Sequence, residues 1–179
     1  MDSKANMKRL LILKSATEFI LSNDIYSLTL DAVAKSAGIS KGGLLYHFPN
    51  KEALLKALAL YIFEDFNERF LLQAEKDPVE KGRYSRALIE LSKWDLDHHA
   101  KLNVGIVANS FLDQDLQGSI DELYQSIQTQ IMNDGLDPVD STIIRLAIDG
   151  LYFSEMYQIA PIKGDLREQV IQRLLDMTK

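Results

Sequence analysis

Apolar residues recur along this chain at three- and four-residue steps, the spacing of an amphipathic α-helix, and no segment alternates as a strand would. Gly, Pro, Asn and Asp interrupt the pattern where helices are expected to end. The pattern predicts an all-α protein of about nine helices. They are expected at about residues 7–22, 30–37, 41–46, 50–74, 84–99, 102–111, 113–133, 139–159 and 165–177.

Three of these helices follow one another closely near the N-terminus, each with its own start signal. Thr29, Ser40 and Asn50 are N-cap types, whose side chains accept a hydrogen bond from a free backbone N–H of the first turn. Gly38 suits the left-handed residue that ends the first helix, and Pro49 stops the second. Two short helices joined by a glycine turn have the spacing of a helix-turn-helix.

The middle helix of the three is unusual because it contains two adjacent glycines, Gly42 and Gly43. Glycine is a poor helix former, so this pair favours a backbone that another surface must approach closely. Lys41, Tyr46 and His47 place donors around the bare patch, as a DNA-contacting helix requires. The alternative from these residues alone is a small three-helix core in which the glycines only permit tight packing.

The charge of the chain is unevenly distributed. The formal net charge is −6, yet residues 1–56 contain eight basic and five acidic side chains, a net charge of +3, which leaves −9 for the remainder. A basic N-terminal region on an acidic body fits a protein that contacts phosphates locally. Chance variation in composition produces a similar imbalance, so the charge supports DNA binding only together with the motif.

Length and composition bound the remaining possibilities. The 179 residues are 46% hydrophobic and include no cysteine, so a sizeable core is expected without disulfides or thiol chemistry. No apolar run reaches the length of a membrane span, and the charged N-terminus lacks the pattern of a signal peptide. A cytoplasmic protein is therefore expected.

Two other classes of function compete with DNA binding. An enzyme is disfavoured because the sequence has no nucleophile elbow, P-loop, HExxH or dinucleotide fingerprint, so no catalytic residue, cofactor or metal is expected. A helical adaptor that binds only proteins would not need the Gly42–Gly43 pair flanked by Lys41, Tyr46 and His47.

The same N-terminal residues resemble the DNA-binding signature of the tetracycline-repressor (TetR/AcrR) family. The resemblance lies in Thr29, Val33–Ala34, Ala37–Gly42, Leu44–Phe48 and Asn50–Leu54. It implies a helix-turn-helix DNA-binding domain over residues 1–50. It also implies a helical regulatory body over residues 51–179, which binds a ligand and dimerises and is joined to the first domain by the helix from Asn50.

We expect nine residues around the motif to contact DNA. The hydroxyl, ring and amine donors are expected to contact phosphates. Lys41 is expected to contact a guanine edge or a phosphate, and Leu45 a thymine methyl. The set is Thr29, Ser40, Lys41, Gly42, Gly43, Leu45, Tyr46, His47 and Lys51. Because few of these side chains can reach bases, part of the specificity is expected to come from DNA shape.

The predicted helix over residues 139–159 is apolar on more than one side, which favours a second partner for it, and the final predicted helix has an apolar stripe. One partner is the core, and the other is expected to be a second subunit, as the resemblance implies; the alternative is that all these residues form intramolecular core. The expected interface consists of Ile144, Ile148, Leu151, Leu166, Val170, Ile171, Leu174 and Leu175. Such a homodimer would present two recognition helices about 34–36 Å apart to a palindromic operator.

The resemblance also implies a repressor that an unidentified small-molecule effector releases from DNA. Its pocket is expected to draw on Phe66, Phe70, Trp94, His98, Asn103, Phe111, Tyr152 and Met156, each with plain core packing as the alternative. Asp95, Asp97, His98 and His99 are metal-ligand types in one helix. Adjacent histidines on a helix point about 100° apart, so no metal site is expected there.

Overall fold

The computed structural model describes residues 4–23, 25–110 and 114–179, apart from the side chains of residues 100, 101, 103–110, 114 and 115. Within these ranges the chain forms α-helices and no strand. They are α1 (Lys4–Ser22), α2 (Leu30–Ser36), α3 (Lys41–His47), α4 (Lys51–Lys76), α5 (Arg83–Ser110), α6 (Gln114–Met132), α7 (Pro138–Tyr157) and α8 (Gly164–Asp176). No helix in the described part of the chain is long and apolar enough to cross a membrane.

The all-α prediction is confirmed, with one difference in helix number. Two helices were predicted at residues 84–99 and 102–111, whereas the structure has the single helix α5 over Arg83–Ser110. The expected break fell at Ala100 and Lys101, which are both good helix formers. With no proline or glycine at that point, the backbone hydrogen bonds continue and eight helices result in the described residues.

The chain divides into two compact units. The first unit comprises Met1–Ile62 and Lys101–Gly118. In it α1 packs on α2 and α2 packs on α3. Its core is built from one apolar side of each short helix, since the side chains that lose almost all their accessible surface recur at helical spacing. They are Ile12, Leu13, Ala16, Ile20, Leu28, Val33, Ala34, Leu44, Phe48, Leu54, Leu58 and Ala59.

The second unit comprises Phe63–Ala100 and Ser119–Lys179 and contains two buried clusters. The first cluster joins α5 to α7 and α8 through Ile89, Leu96, Leu136, Ile144, Ile148, Leu151, Ile171 and Leu174. The second joins α4, α5 and α6 through Phe70, Ala74, Ala87, Leu88, Ile127 and Ile131. Helix α5 therefore contributes to both clusters and organises this unit.

The beginning of α5 is held by polar contacts from distant parts of the second unit. The buried carboxylate of Asp134 accepts hydrogen bonds from the backbone N–H and the hydroxyl of Ser85, at 2.9 and 2.8 Å. The guanidinium of Arg86 donates to Asp77 and to the carbonyls of Val79, Lys81 and Thr178. The Asp134 contact satisfies a backbone N–H that the start of a helix leaves without a partner in the helix itself, and Arg86 ties the carbonyls of Val79, Lys81 and Thr178 to the beginning of α5.

Candidate nucleic-acid interface

The caps of α2 and α3 follow the sequence signals. The Thr29 hydroxyl oxygen accepts from the backbone N–H of Ala32 at 3.1 Å, and the Ser40 hydroxyl oxygen accepts from Gly43 at the same distance. Between the two helices Gly38 has a φ of +65°, a conformation that costs glycine little. The turn predicted from these residues is confirmed, and it fixes the direction of α3 relative to α2.

Most of α3 faces solvent. Of its seven residues only Leu44 is buried, with no accessible surface, and it anchors the helix in the core of the first unit. Lys41, Gly42, Gly43, Leu45 and Tyr46 are exposed, and Tyr46 keeps 81% of its surface. Leu44 and the Phe48 that follows the helix are both core side chains. The exposed residues form a continuous face that no described residue covers.

The two glycines of α3 differ in their surroundings. A Cβ built on Gly42 meets no atom within 4 Å in the described structure, whereas one built on Gly43 would lie 3.2 Å from the Ser40 hydroxyl oxygen. The cap therefore explains why residue 43 is glycine, since a side chain there would crowd the Ser40 hydroxyl. Packing gives no such reason for Gly42, so the tight-core explanation fails at that position in the described residues.

Lys41 does not extend freely from α3. Its ammonium lies 2.8 Å from a carboxylate oxygen of Asp31, an ion pair that links the first turn of α3 to the first turn of α2. From sequence, Asp31 is explained by the dipole of its own helix. The pair joins residues ten positions apart in different helices, and no local pattern signals it.

The remaining predicted phosphate-contact residues cluster around the end of α3. The rings of Tyr46 and His47 meet edge to face, with centroids 5.1 Å apart. Lys51 begins α4 immediately afterwards, next to Asn50, whose side chain caps that helix by accepting from Ala53. Thr29, Ser40, Lys41, Tyr46, His47 and Lys51 therefore all lie at or near the ends of α2, α3 and α4.

Arg9 adds a cation that is not among the nine residues predicted to contact DNA. The guanidinium of Arg9, in α1, lies over the ring of Phe48 with its carbon 5.2 Å from the ring centroid. Arg9 is exposed and Phe48 is buried at the end of α3. This cation–π contact brings a positive charge from α1 to the exposed end of α3.

The residues predicted to line an effector pocket have mixed surroundings in the second unit. Phe70 is fully buried in the α4–α5–α6 cluster, and Phe66 packs against that cluster. Met156 is also buried, so these three are packed as core side chains. The side chain of Asn103 and the whole of Phe111 lie outside the described residues.

Trp94 keeps 40% of its surface accessible. The His98 ring stacks on it at 4.7 Å, the His99 ring meets it edge-on at 4.8 Å, and the Arg69 guanidinium lies over it at 5.3 Å. Trp94 therefore forms part of a half-exposed aromatic surface with basic neighbours.

Tyr152 is connected to this aromatic surface through a carboxylate. Its hydroxyl donates to Asp95 at 2.7 Å, and the other Asp95 oxygen lies 2.8 Å from Nδ1 of His99. Burial, followed by the charge of Asp95 and the hydrogen bond to it, raises the pKa of Tyr152 well above its usual value. The Tyr152 hydroxyl therefore stays protonated and holds Asp95 in place at neutral pH.

Tyr124, on α6, was not predicted to belong to this site. Burial, with a smaller contribution from the charge of Asp149, raises its pKa to about 12, although 41% of the residue is accessible. This combination fits a hydroxyl surrounded by protein and a ring open to solvent on one side. Phe63 packs near that ring at 6.0 Å, and Arg145 pairs with Asp149 at 2.7 Å. Nothing local in the sequence separates Tyr124 from an ordinary helix residue.

Asp95, Asp97, His98 and His99, the four residues of metal-ligand type on α5, bind other protein groups. Asp95 binds Tyr152 and His99, Asp97 accepts from Arg167 at 2.7 Å, and Nδ1 of His98 donates to the Trp94 carbonyl. The described residues contain no group of three or more ligand types suited to a metal ion.

Most members of the predicted subunit interface pack within their own chain. Ile144, Ile148, Leu151, Ile171 and Leu174 are buried in the α5–α7–α8 cluster of the same chain, and Val170 and Leu175 pack against it. These side chains cover α5 and have little surface left for a second subunit. Of the eight predicted residues, Leu166 alone is largely exposed.

A different face of α7 is apolar and exposed. Its residues follow one another at alternating four- and three-residue steps, which is the spacing of a helix that packs along a partner helix. The α7 stripe consists of Val139, Ile143, Leu146, Gly150, Phe153 and Tyr157, and its five side chains each keep between 43% and 65% of their surface. The sequence indicated a two-sided helix correctly but did not indicate which side remains open.

Comparison with protein families matches both parts of the chain. The model for bacterial regulatory proteins of the tetR family matches residues 12–58, which include α2, α3 and the start of α4. The model for the tetracyclin repressor-like C-terminal domain matches residues 82–179, more than half of the sequence. Together they cover the candidate DNA-contacting helices and most of the second unit.

Individual proteins give the same result. The HTH-type transcriptional regulator UidR of Escherichia coli K12 is 34% identical over 100 residues, which are 56% of this chain and 48% of UidR. The chain thus spans about half the length of this relative.

Two solved structures have a similar fold. A TetR/AcrR-family regulator from Thermobifida fusca has 20% identity and a TM-score of 0.69, with 97% of each chain covered. The multidrug binding protein EbrR complexed with ethidium has 17% identity and a TM-score of 0.64, with 96% of this chain and 99% of EbrR covered.

Proposed function

We infer that this chain, which belongs to the tetR family of bacterial regulatory proteins, binds double-stranded DNA and regulates transcription, as a repressor and not as an enzyme. The observation that carries the proposal is α3, a helix with five exposed residues of seven that is anchored through Leu44. A helix held by one side chain in this way can enter the major groove of DNA.

Gly42 strengthens this inference because the chain's own packing does not require it. A side chain would have open space there, yet the residue is glycine in a helix where alanine would be more stable. A surface that comes close to the backbone only when a partner binds accounts for this choice. The floor of a DNA groove is such a surface.

The proposed phosphate contacts use donors that the caps leave available. The oxygens of Thr29 and Ser40 accept hydrogen bonds within the helices, so their hydroxyl hydrogens remain able to donate to a phosphate. Tyr46, His47 and Lys51 add donors at the end of α3, and Arg9 adds a fixed positive charge close by. Phosphate contacts of this kind set the position of the helix and carry no sequence information.

Base recognition is assigned to fewer residues. Lys41 is proposed to contact a guanine edge or a phosphate, and Leu45 is proposed to contact a thymine methyl. Gly42 and Gly43 bring the backbone close and contribute no side-chain contact. The deformability and groove width of the operator then supply the rest of the specificity.

Binding of labelled random-sequence duplexes by fluorescence anisotropy, between about 50 and 200 mM salt, tests the proposal. The affinity is expected to fall steeply with added salt as phosphate contacts are lost. An enzyme or an adaptor would bind no duplex at the lowest salt, and that result would refute DNA binding.

Three variants separate phosphate contact from base recognition. Lys51→Ala and Tyr46→Phe are expected to weaken binding to all sequences equally. Lys41→Ala is expected to reduce discrimination at one base pair when duplexes are selected from a random pool. A change in base preference with Lys51→Ala would contradict its phosphate role.

We also propose a homodimer formed by the α7 stripe, which brings two copies of α3 to a palindromic operator. Five large apolar side chains in one line exceed what an exposed helix face needs, and their heptad-like steps fit a helix of a second copy. Gly150, with open space at its Cβ position, lets the partner helix approach closely. Leu166 on α8 adds an exposed apolar side chain in the same unit.

A small-molecule effector is proposed to bind the second unit and to release the protein from DNA. Trp94, Tyr124 and Tyr152 place partly accessible rings in the second unit, and Asp95 holds the Tyr152 hydroxyl, which suits a planar aromatic molecule. The similar EbrR has been crystallised with ethidium, a molecule of this class. To lower DNA affinity, the effector must bind the DNA-free conformation more tightly.

Titration calorimetry with ethidium and malachite green tests this part, in the absence of DNA because ethidium itself binds duplexes. Asp95→Asn is expected to weaken binding of either dye. Asp97→Asn, two residues away and paired with Arg167, is the matched control and is expected to bind as the wild type does. Equal loss in both variants would contradict a role for Asp95 in the site.

A further inference from the structure

We propose that Asp31 restrains DNA binding by holding the Lys41 ammonium in an ion pair that opens when Lys41 contacts DNA. This inference rests on the proposed DNA-binding function. It makes Asp31 a positioning residue that sets the affinity of the protein without touching DNA.

The geometry places the pair at the edge of the proposed interface. Lys41 is itself exposed in the first turn of α3, so its stem starts from the face of α3 that the described residues leave open. Its ammonium, however, is directed to α2, where the Asp31 carboxylate lies at 2.8 Å. Both side chains are well exposed, at 58% and 67%, so neither is trapped by packing.

The charge balance explains why this arrangement restrains binding. A lysine that reaches DNA gains a phosphate or base contact and displaces condensed counterions. Lys41 first has to leave Asp31, and the vacated carboxylate then stands near the phosphates, which it repels. Asp31 therefore opposes binding both by competition for Lys41 and by its own charge.

The exposure of the pair limits the size of the effect. Exposed ion pairs of this kind alter an equilibrium constant by up to about fivefold, and salt screens them. Asp31 accordingly tunes affinity and does not block it. A regulator that has to leave its operator when an effector binds needs an affinity of limited strength, and this pair provides such a limit in the DNA-binding unit.

A double-mutant cycle tests the proposal with the full-length protein and labelled random-sequence duplexes at low salt. Asp31→Asn is expected to tighten binding about two- to fivefold. The gain is also expected to shrink as salt is added, because salt screens the ion pair that opposes binding in the wild type. In the Lys41→Gln background the same substitution is expected to give less than half of that gain.

Three outcomes of this double-mutant cycle would contradict the proposal. An equal gain from Asp31→Asn with and without Lys41 would mean that the carboxylate acts only through its general field, and the competition would be refuted. No gain in the wild-type background would refute the restraint altogether. If the wild type binds no duplex at low salt, the DNA-binding function itself fails, and this inference falls with it.

Two controls are needed to interpret the double-mutant cycle. Glu18→Gln removes an exposed acid of α1 in the same unit, and it is expected to change affinity much less than Asp31→Asn. Thermal melting by circular dichroism checks that each variant is folded, because Asp31 also interacts favourably with the dipole of α2. A gain equal to that of Asp31→Asn in the Glu18→Gln variant would refute a specific role for Asp31.

Discussion

The Ser40 hydroxyl oxygen lies 3.1 Å from the Gly43 nitrogen and 3.2 Å from the place that a Cβ of residue 43 would occupy. The cap of α3 and the absence of a side chain at residue 43 are thus two aspects of one contact. The neighbouring Gly42 has no such contact in the described residues. The adjacent glycines therefore have different purposes, one in the fold and one at the proposed DNA surface.

Gly42→Ala is expected to separate stability from binding. The free energy of unfolding should rise by about 0.5–1 kcal/mol, because alanine is the better helix former and its Cβ has open space. DNA binding should weaken by about 1–3 kcal/mol, since the added methyl crowds the groove. Denaturant unfolding and anisotropy titrations measure the two quantities.

Gly118→Ala is the matched control for this substitution. Gly118 lies in α6, and its Cβ position is also open in the described structure. The control should gain similar stability and keep its DNA affinity. If Gly42→Ala bound DNA as tightly as the control does, the close approach at residue 42 would be wrong.

Leu146→Glu is expected to dissociate the dimer. It puts a charge in the middle of the α7 stripe, and the desolvation of that charge at a helix–helix contact is unfavourable. Sedimentation or light scattering should show a folded monomer with weaker binding to a palindromic duplex. Leu72→Glu, at an equally exposed leucine of α4, should remain dimeric.

Ile148→Ala tests whether the neighbouring face of α7 is core or subunit interface. The side chain is buried against α5 and α8, so its truncation should cost about 2–5 kcal/mol of folding stability. The mutant should retain the wild-type dimer affinity at temperatures where it is folded. Loss of the dimer without loss of stability would return Ile148 to the subunit interface.

The stability of the second unit is expected to depend on Asp77 at low pH. The hydrogen bond from Arg86 lowers the pKa of Asp77 below its ordinary value of 3.8. The folded state therefore binds the proton less tightly than the unfolded state does. The stabilisation is fully present well above pH 3.8 and is lost as the pH falls through that value towards the lower pKa of the folded state.

Asp77→Asn should therefore cost about 1–3 kcal/mol at pH 7. Urea unfolding at a series of pH values between about 5 and 2 should then show a weaker pH dependence than in the wild type. Glu80→Gln, an exposed acid in the same loop, is the control. An unchanged pH profile in Asp77→Asn would show that its pairing with Arg86 contributes nothing.

The sequence alone predicted the helical frame because the relevant signals are local. Thr29 and Ser40 cap the helices that follow them, and Gly38 takes the left-handed turn, since each acts within four residues of its own position. The break expected near residue 100 was wrong because the helix formers there are compatible with continuation.

Contacts between distant residues could not be predicted in this way. Helical periodicity identified α7 as apolar on two sides, but only packing against Ile89 and Leu96 shows that the face with Ile148 is covered. The Asp31–Lys41 pair and the raised pKa of Tyr124 depend likewise on neighbours from other helices. The predicted DNA-contacting, effector-binding and interface residues remain predictions that the proposed variants can test.

The double role of α5 has a consequence for the order in which the protein is made. Ile89 and Leu96 emerge from the ribosome long before Ile171 and Leu174, which cover them in the finished molecule. The residues of α1, α2, α3 and the start of α4 are synthesised first and can begin to fold at once. The second unit cannot be completed before its last helix is made, so one apolar side of α5 stays uncovered during synthesis.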